Sequence, residues 1–503
     1  MRKMENERRK LLFNNTIAAG GNQLVSIICA FILPRQMLVV YGSEINGLVS
    51  SISQCLSFVS LLDMGVSTVV QTSLYKPIAE NNNIQRNRIL SASSKFFKGI
   101  AIILLVYTGG LMLVYPRLVK TNLNSITTAI LILVISFSSI SEYLFGVNNQ
   151  ILLNADQKAY IQFGLRIVTT VFNTIICVVL MRMGGDIVFV KLVSSIIFLI
   201  RPIVMELYIR KYYKINFNEK YTKDPIEQKW NGMSRHIASF VFGNTDIIIL
   251  TLFATLQDVS IYSVYILVVS GLNRLYSVCL TGIGSLFGDM YARHETDSLR
   301  EIFSFVEWFS HNMVLFIFIN TGMLLVDFVM LYTNRVSDAN YSQPLFSLLL
   351  TIAYGVCCLR NIYNILICSV GHFKQTQVAS IVEAIINIVI SMLLVRKYGL
   401  VGVAMGTLVA VLYQQIYYFN YIHKNIICES YRNIIKQVLF DIGAVILIII
   451  LLGKKKHDIC SYGQFFYQMF NSAVGTIVVL MGLNCIFYRK RIKQFIYTLK
   501  KGV

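Results

Sequence analysis

Charge is scarce in this sequence. Asp, Glu, Lys and Arg make up 14% of its 503 residues, where soluble domains carry about a quarter. Proline is scarcer still, with six in all, and no stretch alternates apolar and polar residues at the period of a strand. A transmembrane barrel, built from short alternating segments, is therefore not expected. The ten cysteines include no C-x-x-C pair and sit mostly in apolar segments, among them Cys29, Cys55, Cys177, Cys279 and Cys485. They read as small buried hydrophobes rather than as disulfides or metal ligands. The six histidines are dispersed; His311 stands inside an apolar run and reads as a packed side chain, so no metal site is expected. Long polar connections are missing as well. The largest runs from Arg210 to Arg235, which leaves no room for a folded catalytic domain of even about fifty residues.

What is present is apolar sequence. Hydrophobic residues reach 55%, the mean hydropathy is +0.63, and at least ten runs approach or exceed the ~18 residues that cross a bilayer core. Read in order, the runs give about fourteen spans, from 14–38 to 464–488. The fold class expected is an all-α membrane protein. The opening MRKMENERRK is basic, but the run behind it is long, carries Arg35 and lacks a small-residue cleavage site, so it reads as a retained first span.

The net charge of +20 has a membrane explanation. Basic residues gather in the short connections between spans, with no soluble face to present them to a nucleic acid. Placing the N-terminus inside puts about thirty Lys and Arg on that side and about nine on the other, so the positive-inside rule predicts that both termini are cytoplasmic. The inner set includes Arg86, Arg88, Lys211, Lys214, Lys220 and Arg489; the outer set includes Lys454, Lys455 and Lys456, a local exception before the last span.

The chain also aligns with itself at a shift of about 215 residues. The segment 152–185 parallels 367–400, with Lys158 over Lys374, Gln162 over Gln377, Asn173 over Asn387 and Gly184 over Gly399 within one residue. This superimposes spans 1–6 on spans 7–12 and leaves 13 and 14 as an addition. The expected organisation is an N-terminal six-helix bundle over 1–210, a cytoplasmic linker over 211–235, and a second six-helix bundle over 236–425. Residues 426–503 then hold two further helices and a basic tail. Bundles with an even number of spans are parallel repeats about an axis along the membrane normal, a geometry suited to alternating access.

Ionisable side chains inside spans are expensive and face cavities or partners. Under the repeat, four pairs nearly coincide with opposite sign: Arg35 with Asp246, Asp63 with Arg274, Glu142 with Arg360, and Arg166 with Glu383. Asp327 is a further such charge, while Lys191 and Arg201 are placed as side chains that snorkel. These pairs are expected to face the seam between bundles. Arg35, Arg274 and Arg360 are the cations for an anionic substrate, since the guanidinium binds phosphate oxygens bidentately and stays charged. Asp63, Asp246, Glu142, Arg166 and Glu383 are expected to gate or couple. Glycines such as Gly65, Gly282, Gly284 and Gly288 suit close helix approach or a bend, and YQQIYYFNYIH (413–423) reads as an interfacial aromatic belt.

Two stretches carry a resemblance. YGSEINGLVSSISQCLSFVSLLDMGVSTVV (41–70) resembles the hairpin after the first span of bacterial polysaccharide exporters. VGHFKQTQVASIVEAIINIVISMLLVRKYGLVGVAMGTLVA (370–410), with its G-x-x-K-x-T turn and G-L-x-G-V-A-x-G-T helix start, resembles their C-terminal bundle. These exporters belong to the multidrug/oligosaccharidyl-lipid/polysaccharide flippase superfamily. The resemblance implies a transporter rather than an enzyme, a flippase that moves an O-antigen or capsule repeat unit on a polyprenyl diphosphate from the cytoplasmic to the outer leaflet of a bacterial inner membrane. It further implies a cavity lined by spans 1, 2, 7 and 8, tail guidance by spans 13 and 14, and room for a polysaccharide polymerase as partner. No cofactor is implied; sodium, protons and membrane potential all stay open as the driving force. Two alternatives stand beside it: a multidrug or organic-cation exporter of the same fold, and a membrane glycan polymerase, which would be expected to carry a large outer loop.

Overall fold

The computed structural model describes residues 2–63, 65–213, 215, 233–427, 432–453 and 461–492, with side chains omitted at 2–8, 233–236, 433 and 434. Most of the expected 211–235 linker, Lys214 and Lys220 within it, Lys454–Lys456 and the tail beyond 492 lie outside the described residues. Among the described residues there is no strand. Twelve helical segments are long and apolar enough to cross a membrane; Arg9–Leu62 bends within itself, and Ile237–Phe253 is a shorter apolar helix. Counting the bent segment as two and adding the short helix gives the fourteen spans expected.

Contacts divide the chain into two compact units, Met1–Ser260 and Ile261–Val503. The first begins with α1 (Arg2–Ser57), which changes direction at Gly42, where φ is +82°. A short 3-10 turn (Phe58–Leu62) and Gly65 lead into α2 (Val66–Ala79). Helices α3 (Asn83–Leu118) and α4 (Ser125–Ser141) follow, then a π-turn over Glu142–Gly146 and α5 (Val147–Ala155), then α6 (Ala159–Arg182), α7 (Ile187–Tyr213) and α8 (Met233–Phe253). The core is aliphatic, with Leu48, Val70, Leu74, Leu131, Leu152 and Val190 wholly enclosed.

Helix α9 (Leu256–Cys279) opens at the end of the first unit and runs into the second. There follow α10 (Ile283–Ala292), α11 (Thr296–Tyr332), α12 (Pro344–Ser369), α13 (Phe373–Tyr398), α14 (Leu400–Asn425), α15 (Arg432–Leu452) and α16 (Tyr462–Phe487). Its core is more aromatic, around Tyr276, Phe287, Phe303, Tyr363 and Tyr418. Helices α15 and α16 join α11 through a separate small cluster of Leu315, Ile319, Ala444, Ile448 and Leu480. Ile102, Val106, Leu393 and Leu439 are each more than half exposed. In water such a surface would be a liability; against lipid tails it is the matched solvent.

The backbone repeats the sequence's internal period. Left-handed residues fall at Gly65 and Gly282, Asn81 and His294, Gln157 and Gly371, and Gly184 and Gly399, each pair about 215 residues apart. Gly65 and Gly282 occupy the same role, capping α2 and α10 with φ near +90°, a conformation that costs other residues roughly 1–2 kcal/mol.

Candidate functional site

The second and fourth spans of the first unit are both interrupted, and the interruptions face one chamber. The 3-10 turn and Gly65 place Asp63 ahead of α2, where its Oδ1 accepts a hydrogen bond from Ser67 Oγ at 2.7 Å. The π-turn inserts an extra residue at Glu142–Gly146; such insertions recur at functional sites because they re-aim a side chain without ending the helix. Gly146 makes room for the carboxylate: a Cβ there would stand 2.9–3.1 Å from the terminal atoms of Glu142. Two turns past Glu142, Gln150 donates through Nε2 to Glu142 Oε1, and Gln150 Oε1 accepts from Arg166 Nη2 at 3.4 Å. Glu142 and Arg166 are thus bridged by one neutral amide.

Arg201 completes the chamber from α7. Its Nε and Nη2 donate to Thr169 Oγ1 at 2.5 Å and Thr170 Oγ1 at 2.7 Å, and the guanidinium lies 4.6 Å from the centroid of the Phe198 ring. Asp63, Glu142, Arg166 and Arg201 line a cavity of about 520 Å³ together with hydroxyls and amides of Ser67, Gln71, Ser138, Tyr143 and Asn154. Each arginine is held by neutral partners rather than by a carboxylate. A guanidinium has five donors, so both keep N–H groups available to an incoming oxygen. This volume lies within the range of small-molecule sites, and its hydroxyl and amide lining suits a sugar or phosphate group better than an apolar drug.

In the second unit the equivalent positions make a closed contact. Arg360 on α12 and Glu383 on α13 form a direct ion pair with side chains 15% and 4% exposed, and Arg360 Nη2 also contacts Cys357 Sγ at 3.3 Å. The sign reversal between Glu142 and Arg360, and between Arg166 and Glu383, therefore produces two arrangements of one pair of sites. One is opened by a glutamine into a cavity; the other is sealed. Farther along α13, Gly402 and Gly406 bring α14 against its backbone near Leu394 and Ser391.

The other expected residues do not line this chamber. Arg35 follows Pro34 in α1 and is half-buried, Asp246 on α8 is 5% exposed, and both have interaction partners. Arg274 on α9 is exposed. Of the expected set, the first-unit chamber gathers Asp63, Glu142 and Arg166. It also gathers Arg201, set aside in the sequence as a snorkelling side chain, and Gln150, which no charge survey would select. Gln150's signal was the spacing Glu142, Gly146, Gln150, which puts carboxylate, glycine and amide on one helical face.

A second concavity lies in the other unit. Helices α11, α15 and α16 enclose a groove of about 980 Å³. Phe440, Ala444, Leu447, Ile450 and Leu483 form its apolar length, and Lys436 and Arg491 stand among its polar lining. Arg491 Nη2 donates to Ser304 Oγ at 2.6 Å.

No family model and no curated protein matches the sequence. Solved structures do match in fold. The lipid II flippase MurJ in an inward closed conformation aligns over 95% of this chain and 99% of its own, with a TM-score of 0.72 at 15% identity. The Vibrio cholerae MATE transporter VcmN in its bent form aligns over 83% of this chain and 98% of its own, with a TM-score of 0.54 at 12% identity. An inward-facing multidrug resistance MATE family transporter of the MOP superfamily aligns over 80% of this chain, with a TM-score of 0.53 at 12% identity. The chain has the fold of these membrane transporters.

Proposed function

We propose that this protein is a flippase that moves a polyprenyl-diphosphate-linked oligosaccharide across the membrane by alternating access. The observation that carries this reading is the extent of the likeness. The lipid II flippase accounts for 95% of the chain, whereas the multidrug transporters are nearly used up at 80–83% of it. The diphosphate–sugar head cannot cross hydrocarbon unaided, so a polar enclosure must lower the cost of moving its charge. The first-unit chamber supplies two arginines held by neutral groups and a lining of hydroxyls and amides. The tail is apolar and can stay in a groove such as that between α11, α15 and α16.

Arg35, Arg274 and Arg360 remain proposed cations for the head, Arg360 once its pair with Glu383 opens. Asp63, Asp246, Glu142, Arg166 and Glu383 are proposed to gate or couple, Arg166 also meeting the head within the chamber. The basic bias of the connections supports cytoplasmic termini in a bacterial inner membrane, with the sugar facing out after transport. The glycan as an O-antigen or capsule unit, and a polymerase as the protein that receives it, belong to the same proposal. A second reading, export of organic cations, is favoured by the two carboxylates of the chamber, Asp63 and Glu142.

Binding separates the two. Purified protein should retain polyprenyl-diphosphate oligosaccharide in preference to an organic-cation dye. Arg166→Ala and Arg201→Ala should each weaken that retention about tenfold, or about 1.4 kcal/mol. Dye binding that exceeds glycolipid binding, and that is lost in Glu142→Gln, would transfer the fold to the exporter reading.

A further inference from the structure

A second group of titratable side chains lies in the other unit, under the wall of the apolar groove. His311 on α11 is 4% exposed, and its Nδ1 meets Asp441 Oδ2 of α15 at 2.5 Å. Asp441 Oδ1 accepts from Gln437 Nε2 at 2.9 Å. One turn before His311, Glu307 accepts from the hydroxyl of Tyr363 on α12. The remaining nitrogen of the imidazole, Nε2, is buried with no hydrogen-bond partner. A bare ring nitrogen in a buried site costs roughly 1–3 kcal/mol, and an imidazole whose other nitrogen already meets a carboxylate is a place for a second proton.

We propose that His311, Asp441 and Glu307 form a proton-binding site that fastens α15 and α16 to α11. Other contacts joining these helices include an apolar set, Leu315, Ile319, Ala444, Ile448 and Leu480, neutral hydrogen bonds from Trp308 Nε1 to Asn484 Oδ1 at 2.8 Å and from Asn484 Nδ2 to Asn312 Oδ1 at 2.5 Å, and the bond from Arg491, past the end of α16, to Ser304. Apolar contacts between helices gain little over contacts with lipid tails. Among the described residues, the His311–Asp441 contact joins α11 to α15 through a group whose charge changes with pH, so the strength of the attachment depends in part on its charge state. With the imidazole protonated, a cation sits between two carboxylates and the hairpin is held. With the proton gone, two half-buried carboxylates stand beside a neutral ring, and their repulsion favours separation of α15 from α11, which widens the groove that α11, α15 and α16 share.

Charged and titratable neighbours surround the site on all sides. Tyr363 and, behind it, Tyr276 of α9 face it from the bundle. Tyr488, after α16, lies within electrostatic reach of Asp441 and Glu307, and of Arg491 beyond them. Lys436 of α15 lines the groove alongside Arg491. Histidine is the member of this set whose charge ordinarily changes between pH 5 and 8, so the proton is assigned to it. The inference stands on this geometry and does not depend on what the protein transports.

Trp308 provides the readout. The chain has two tryptophans, so Trp230→Phe leaves Trp308 alone, three residues before His311 and bonded to α16 through Asn484. Its emission should change sigmoidally between pH 5 and 9 in W230F, and the change should vanish in W230F/H311Q. Asp441 is the ionic partner of the imidazole. W230F/D441N should therefore move the midpoint, which keeps the test valid if the His311 variant does not fold. A flat profile in W230F, or an Asp441 variant with an unmoved midpoint, would overturn the proposal.

Discussion

Glu383→Leu in a chain that keeps Arg360 should lower stability by about 3–5 kcal/mol, the cost of leaving one half of a buried ion pair without its partner. The two side chains are 4% and 15% exposed and meet directly. Arg360 also contacts Cys357 Sγ at 3.3 Å, a weak acceptor that does not replace a carboxylate. At ~2 °C per kcal/mol, the thermal midpoint in detergent should fall by about 6–10 °C. The double variant Arg360→Met/Glu383→Leu should recover most of that loss, because apolar replacement of both partners is often neutral or stabilising. Transport measured in the double variant then separates two roles. A pair that only holds α12 to α13 leaves transport intact, whereas a pair that opens during access loses it while stability returns.

The next largest effect is expected from glycines where helices touch through their backbones. A Cβ at Gly47 would lie 1.8 Å from the carbonyl oxygen of Leu256, and one at Gly406 would lie 2.1 Å from Ser391 Oγ and 2.9 Å from its backbone nitrogen. Backbone cannot yield as a side chain does. Gly47→Ala and Gly406→Ala should therefore reach or exceed the top of the roughly 1–3 kcal/mol range for overpacking, seen as a large fall in folded yield and thermal midpoint. Gly109→Ala on α3 is the control: nothing lies within 4 Å of its Cβ, and alanine's helix preference should make it neutral or stabilising by up to about 1 kcal/mol. Equal losses at all three positions would contradict the packing described for α1 and α14.

These glycines show how far the sequence could be read. The spans were legible because a bilayer imposes length and hydropathy on every crossing helix. One break in that pattern was partly legible. Arg9–Leu62 is one continuous apolar segment whose bend rests on a single residue, Gly42, with φ +82°. The repeat could be seen in Lys158, Lys374, Gly184 and Gly399 because turns and helix ends constrain residue type locally. The glycines of G-L-x-G-V-A-x-G-T gained their reason only in three dimensions, where Gly402 and Gly406 meet the backbone of α13.

The site was less legible, for a physical reason. Intramembrane charges announce that they have partners, but not which ones. Glu142 and Arg166 were visible as charges; the amide of Gln150 that joins them was not, because neutral polar residues carry little hydropathy signal. His311 read as a packed side chain because its partner, Asp441, lies 130 residues away on another helix. Arg201 read as a side chain reaching for the interface, and only the approach of α6 to α7 brings Thr169 and Thr170 to its guanidinium.

The central claim is that this fold carries the head of a lipid-linked glycan through the membrane. It is tested most directly by headgroup accessibility of a polyprenyl-diphosphate oligosaccharide in proteoliposomes with and without the protein. The account predicts that the protein speeds appearance of the glycan at the far leaflet, and that Arg166→Ala at matched protein levels slows it about tenfold. A rate equal to that of protein-free vesicles, from protein shown to be folded and inserted, would contradict it.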